Sequence, residues 1–279
     1  MSIGNTLIRA LNKPITRGVL EKIIFMRYAQ RGKKIERVRY HSKFNAWEFR
    51  IGGISFLSTG PGWVYDKDYL KDQVRMLSGF AYTPTQGDVV VDVGAGVGEE
   101  TIIYSDLVGQ SGKVYAIEAH PKTYSALTYL IESNSLRNVM ISNLALSDKA
   151  GDVSIQDSDN SLANSILQVA ESSTVAVQSE TFDEFVERNH IQTIDLLKMN
   201  VEGAEQLIIK GMSQSIELVK RVAISCHDFR YHQGESIFFK TKALVIEFLS
   251  KHDFEVSTQR SSIPMIDDYV YGTNRKVRD

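Results

Sequence analysis

The segment VVVDVGAGVG, Val89–Gly98, constrains this chain more than any other. Val89–Val93 is an almost unbroken β-branched run, the pattern of a parallel strand covered on both faces. The small residues after it let the backbone pass close to a ligand. Glu99–Leu107 reads as a helix, and the start of a helix carries amide donors with no intrahelical partner. The chain thus runs strand, glycine-rich turn, helix. Asp92 sits at the strand end, where its carboxylate can order the loop or accept hydrogen bonds from a ligand amine.

The glycine spacing narrows the ligand. Glycines at 94, 96 and 98 precede Glu99 and Glu100, whereas the dinucleotide fingerprint places its third small residue one position later. Two glutamates at a helix entrance also repel the pyrophosphate that such an entrance attracts. S-adenosylmethionine, with an ammonium and no phosphate, suits the site better. Glu118 closes the next strand, 24 residues after Gly94. A carboxylate there can accept both ribose hydroxyls; the alternative is a solvated turn before Pro121. Asn143 and Ala145 follow a further strand and can frame an adenine edge, or simply form a turn ahead of Gly151.

From residue 88 strands and helices alternate, which predicts a β/α sandwich with an antiparallel edge. Helices are expected over Pro121–Ser133, Phe182–Arg188 and Glu202–Lys210, and a long one over Glu235–Lys251. The preceding part differs. Residues 1–30 read as one or two helices interrupted at Pro14. Residues 31–60 read as extended, with Gly52-Gly53 as a hairpin turn. A helical lead-in is expected within 63–80. The division is therefore an N-terminal arm and hairpin extension over 1–80 and a ligand-binding domain over 81–279.

Apolar residues make up 43% and charged residues 24% of the 279 positions, which excludes whole-chain disorder. Cys226 is the single cysteine, so no intramolecular disulfide can form. With no 18-residue apolar run, this composition suits a cytoplasmic protein. The net charge of −2 hides an asymmetry: residues 1–50 carry 12 Lys/Arg against 3 Asp/Glu. Such a basic arm can touch the inner face of an anionic membrane peripherally, pack on the acidic body, or join two subunits. Nucleic acid is not expected as a partner, because the body lacks a broad basic stripe.

Taken together, VVVDVGAGVG, AIEAHP, NLALSDKAG and IDLLKMNVEGAE resemble the FkbM-like methyltransferases over roughly residues 80–275. VEGAE, Val201–Glu205, is the most family-specific part. The resemblance implies a Rossmann-like class I methyltransferase fold, with a mostly parallel seven-stranded sheet and an antiparallel edge strand. It implies methyl transfer from S-adenosylmethionine to a hydroxyl of a sugar, glycolipid or other small metabolite. It assigns Asp92, Gly94, Gly96, Gly98 and Glu118 to the cofactor, and Ala95 and Ala119 adjoin them. One departure is clear. Asn200 stands where the family commonly has Asp, and an amide is not a carboxylate base.

The reaction centre should lie beyond the C-terminal ends of the parallel strands. Lys198, Asn200, Glu202 and Glu205 fall there, as do His227 and Asp228. Transfer to a hydroxyl needs an in-line geometry and either a proton acceptor or a metal. His227 is the group that can be neutral and basic near pH 7, with Asp228 to orient it or replace it; the alternative is a loop-capping imidazole. A lone buried ammonium is costly, so Lys198 should reach the strand-end opening or a carboxylate such as Glu202. Asn200, Asp228 and a glutamate offer hard oxygens that would suit magnesium, although the spacing does not demand it. Arg230, Tyr231, His232 and Glu202 can contact a polar acceptor, and Tyr65 and the turn-rich 157–165 segment can form a lid. A homo-oligomer is compatible with all of this.

Overall fold

The computed structural model describes residues 16–157 and 173–276, apart from 31, 33, 59 and 61–65. Its centre is a seven-stranded sheet. The strands are β4 (Val89–Val93), β5 (Lys113–Ile117), β6 (Val139–Ser142), β10 (Leu196–Asn200), β11 (Arg221–Ser225), β12 (Phe254–Thr258) and β13 (Tyr269–Asn274), in the order β12-β13-β11-β10-β4-β5-β6. All run parallel from β11 to β6, and β13 pairs antiparallel with both β11 and the outermost β12. This is the Rossmann-like arrangement of class I methyltransferases.

Alternation along the strands sorts side chains onto two faces. Val90, Val114, Leu196, Ala223 and Tyr271 join one buried cluster. Val91, Tyr115, Leu197, Val222 and Val270 join the other. Helices α3 (Glu99–Val108) and α4 (Pro121–Ser133) supply residues to the first face, while α5 (Phe182–Arg188), α6 (Glu205–Ile208) and α8 (Lys242–Lys251) supply the second.

Before the sheet come α1 (Arg17–Ala29), the three-stranded antiparallel sheet β1 (Ile35–His41), β2 (Ala46–Ile51) and β3 (Ile54–Ser58), and α2 (Lys67–Met76). Gly52 and Gly53 turn β2 into β3 with φ of 57° and 81°, as a type I′ turn requires. Trp47, Phe49, Phe56 and Leu57 are fully buried and share the first face's cluster with Ile103 and Leu130. Each such side chain contributes about 1.5–3 kcal/mol of burial, so this sheet is packed onto the body.

A second small sheet, β7 (Ala145–Leu146), β9 (Thr174–Glu180) and β8 (Gly151–Gln156), stands over the strand ends. The expected long helix over Glu235–Lys251 is broken. A short 3-10 turn, Ile237–Phe239, precedes α8, which starts at Lys242. The cause is Asp228, whose Oδ1 accepts the amides of Thr241 (2.7 Å) and Lys242 (2.8 Å) and starts a new helix there. The expected helix over Glu202–Lys210 shortens to α6 and a 3-10 turn, because Glu202 and Gly203 adopt positive φ. Two further short helices, α7 (Asp228–His232) and α9 (Pro264–Asp267), lie near the same end of the sheet.

Candidate active site

A cleft opens at the C-terminal ends of β4, β5 and β10, walled on one side by Leu144–Leu146 and Ile155 of the small sheet. Its floor is the glycine turn. Gly94 has φ of 74°, and a Cβ there would lie 2.0 Å from the carbonyl oxygen of Asn200, so the two strand ends meet backbone to backbone. The Gly96 amide donates to Glu118 Oε2 (2.9 Å), and the His120 amide donates to Glu118 Oε1 (2.9 Å). Glu118 is thereby fixed on the rim. Burial raises its pKa to about 7 against those two hydrogen bonds.

The cleft is strongly acidic. Glu99, Glu100, Glu118 and Glu202 line it, with Lys198 the one Lys or Arg among its lining residues. Burial and the neighbouring Glu100 raise Glu99 to about 7. Lys198 is 2% exposed and pairs with Asp92 (2.9 Å) and Glu100 (3.0 Å), and it donates to the Gly94 carbonyl (3.2 Å). Burial favours its neutral form, but the two carboxylates hold it firmly cationic. The register explains the pair: Lys198 stands directly opposite Asp92 on adjacent strands, both on the same face. Glu202, the partner suggested by sequence proximity, is not its partner among these contacts.

Beyond Glu202 lies a buried ion cluster. His227 Nδ1 is 2.8 Å from Glu205 Oε1, and its Nε2 is 3.4 Å from Glu202 Oε1. Arg230 donates to Glu202 Oε2 (2.6 Å), chelates Glu235 and lies over the Phe239 ring. Burial alone would push the imidazole toward neutrality. The charges and hydrogen bonds of Glu205 and Glu202 win and raise His227 to about 10.

The structure brings together some of the expected site residues and separates others. Gly94, Ala95, Gly96, Glu118, Ala119, Ala145, Lys198, Asn200 and Glu202 line the cleft. Asp92 does not; it lies beneath the floor, held by Lys198 and the Thr101 hydroxyl. Gly98 does not either: a Cβ there would strike Leu127 at 2.7 Å, so it serves helix packing. Asn143 does not frame the cleft; its amide donates to the carbonyls of Glu118 and Ala119 and ties two loops. His227 lies behind the cleft with both nitrogens facing carboxylates, so it is not a neutral base at its surface. Asp228 caps α8 and does not orient His227; Glu205 does. Arg230 meets Glu202 and Glu235, and Tyr231 and the exposed His232 lie on α7 away from the cleft lining. The expected magnesium set of Asn200, Asp228 and a glutamate is not assembled, and no group of three or more His, Cys, Asp or Glu among the described residues forms a metal site. Tyr65 and residues 158–165 lie outside the described residues.

The sequence reading put Glu99 and Glu100 at the ligand-facing helix entrance, and both line the cleft. It missed Glu205 as the partner of His227, which only the folded loop brings close.

The model of the methyltransferase FkbM domain matches residues 92–256. The chain belongs to the FkbM methyltransferase family. It is similar to the hexuronic acid methyltransferase AglP of Haloferax volcanii, at 29% identity over 56% of this chain and 62% of that one. The chain thus spans less than two thirds of that relative. Among solved structures it is similar to the methyltransferase FkbM of Methylobacillus flagellatus KT, with 16% identity, a TM-score of 0.48, and 68% and 44% of the two chains covered. It is also similar to Aeropyrum pernix fibrillarin with bound S-adenosyl-L-methionine, with 14% identity, a TM-score of 0.45, and 86% and 98% covered. The family is a methyltransferase family, and the fold and glycine turn agree with it.

Proposed function

We propose that the chain transfers a methyl group from S-adenosylmethionine to a hydroxyl oxygen of a sugar, glycolipid or other small hydroxylated metabolite. The observation that carries the reading is the acidic cleft at the strand ends. Lys198 offsets Glu100, and His227 and Arg230 offset Glu202, so Glu99 and Glu118 are the carboxylates that favour a cationic ligand and disfavour a pyrophosphate. The residues present fit the donor. Glu118 would take the ribose hydroxyls, the Gly94–Gly96 turn would run beside the amino-acid end, Glu99 would face its ammonium, and Leu144, Leu146 and Ile155 would cover the base. When bound, the donor supplies an electrophilic methyl on a sulfonium.

The chain's own residues hold the two reactants in line and exclude water, which is the main contribution of a site of this kind. Lys198 bridges Asp92 and Glu100 and offsets part of their charge, so the floor keeps its shape when a cation arrives. The likeness to a hexuronic acid methyltransferase supports a sugar acceptor. In this reading a magnesium ion is not required.

The test is incubation of the protein with methyl-labelled S-adenosylmethionine and, separately, cell-envelope glycan extracts, total RNA and total protein. Label in a base-stable methyl ether of a glycan is the expected result. Label in RNA or protein would replace the acceptor class. Tight S-adenosylhomocysteine binding with no transfer to any fraction would make the chain a binding module.

A further inference from the structure

We propose that Glu202 takes the proton released by the acceptor hydroxyl, and that His227 with the buried Glu205 behind it is a fixed strut aiming the Glu202 carboxylate into the cleft. The inference rests on the hydroxyl-directed reading above. Three groups stand in series from the cleft inward. Glu202 lines the cleft, His227 is 3% exposed, and Glu205 is fully buried. Nε2 of His227 faces Glu202 at 3.4 Å and Nδ1 faces Glu205 at 2.8 Å. Arg230 takes the other Glu202 oxygen at 2.6 Å. Each oxygen of Glu202 is therefore held by its own cationic side chain.

The backbone is shaped for this placement. Glu202 has φ of 51°, uncommon for a residue with a side chain, and Gly203 follows at 93°. A Cβ on Gly203 would meet the Phe238 ring at 2.8 Å. Two successive left-handed residues bend the chain sharply off β10 and turn Glu202 toward the cleft. Strained backbone of this kind persists where surrounding structure over-determines it, and it clusters at functional sites. The Gly203 amide donates to Glu205 Oε1 (3.3 Å), so the same turn also seats the inner glutamate. Glu205 Oε2 has no hydrogen-bond partner among the described residues, so the imidazolium is the charge that balances this buried carboxylate.

The chemistry closes without a strong base. The acceptor oxygen forms the new O–C bond, the S–C bond of the donor breaks, and its electron pair stays on sulfur. The hydroxyl proton passes to a Glu202 oxygen and then to water. An alcohol becomes strongly acidic only as the O–C bond forms, so a carboxylate of low basicity suffices as a late acceptor. Burial would make Glu202 more basic, but His227 and Arg230 hold its pKa below the ordinary value. The Cys226 thiol also lies near Glu205, and burial and that carboxylate keep it protonated.

The experiment has two arms. In the first, the chain is labelled with nitrogen-15 histidine and the His227 ring is titrated by NMR. Both ring nitrogens should stay protonated through about pH 8, and Glu205→Gln should lower the midpoint by more than about one pH unit. A midpoint near the ordinary value of about 6.5 in the native chain would overturn the strut. In the second, transfer is assayed on methyl glucuronoside and on any acceptor recovered from glycan extracts. Glu202→Gln should lower kcat by about 100-fold or more, with S-adenosylhomocysteine affinity unchanged, and Glu202→Asp should recover part of the rate. His227→Gln should move the acid limb of the pH profile upward. Native kcat in Glu202→Gln would overturn the proton acceptor. If the native chain forms only a base-labile ester, or no product, the hydroxyl-directed reading falls and takes the Glu202 role with it; the titration still decides the strut.

Discussion

Lys198 shows how one residue joins fold and site. An ammonium in an apolar strand is tolerated because its register places it across from Asp92 and beside Glu100. Removing one partner of a buried pair typically costs about 3–5 kcal/mol, because the remaining charge is stranded. Lys198→Met should therefore lose about that much stability in urea unfolding. A loss below about 1 kcal/mol would show that the pair is solvated. Glu118 gives the complementary test. Burial holds its pKa at about 7 in the free protein. Ribose hydroxyls donate to the ionised form, so ligand binding favours loss of the proton. S-adenosylhomocysteine affinity should accordingly rise from about pH 6 to about pH 8 and then level off. Glu118→Gln should weaken binding about 10-fold or more at the upper pH and remove most of that rise. Residue identities along the glycine turn were legible in the sequence because backbone geometry dictates them. The roles of Asp92, Gly98 and Asn143 were not, because whether a side chain faces the cleft, lies beneath it or ties two loops depends on packing from distant segments.

At the scale of elements, the β1–β3 sheet is fastened by Glu48. This buried carboxylate receives Arg37 and His41 of β1, Ser55 of β3 and Tyr129 of α4. Burial would raise its pKa, but those hydrogen bonds hold it at about 2, well below the ordinary carboxylate range. Its stabilisation is thus full above about pH 4.5 and is lost as pH falls toward about 2. Glu48→Gln should cost about 1–3 kcal/mol near neutral pH and flatten that acid limb in denaturant titrations. If the limb is unchanged, Glu48 does not hold the sheet. The hairpin at Gly52-Gly53 was legible because the turn chemistry is local. The break before α8 was not: its cap, Asp228, lies 13 residues before Thr241, and apolar spacing across 235–251 looks continuous without it. Asp228→Ala should destabilise by about 1 kcal/mol, as a lost helix cap does. β9 was also unread, since its pairing with β7 and β8 is set from outside the strand.

For the whole molecule, a sheet with two apolar faces leaves its ends for charge, and much of it gathers at the end bearing the cleft. The pH response of stability should report that. Glu99 and Glu118 bind protons more tightly folded than unfolded, so the free chain should lose stability from about pH 4.5 to about pH 7. His227 adds a further loss from about 6.5 toward about 10, because its folded value is raised. A mostly parallel seven-stranded sheet followed from the β/α alternation and the family resemblance; the strand order did not. The acidity of the cleft as a whole did not, because its four glutamates come from three separate loops. That acidity is the basis for assigning the cleft to S-adenosylmethionine. Calorimetric titration of the native chain with S-adenosylhomocysteine and with NAD, at about pH 6 and about pH 8, tests it most directly. One site for S-adenosylhomocysteine that tightens at the higher pH, with no heat from NAD, is the predicted result. Binding of NAD, or no binding of S-adenosylhomocysteine at either pH, would contradict it.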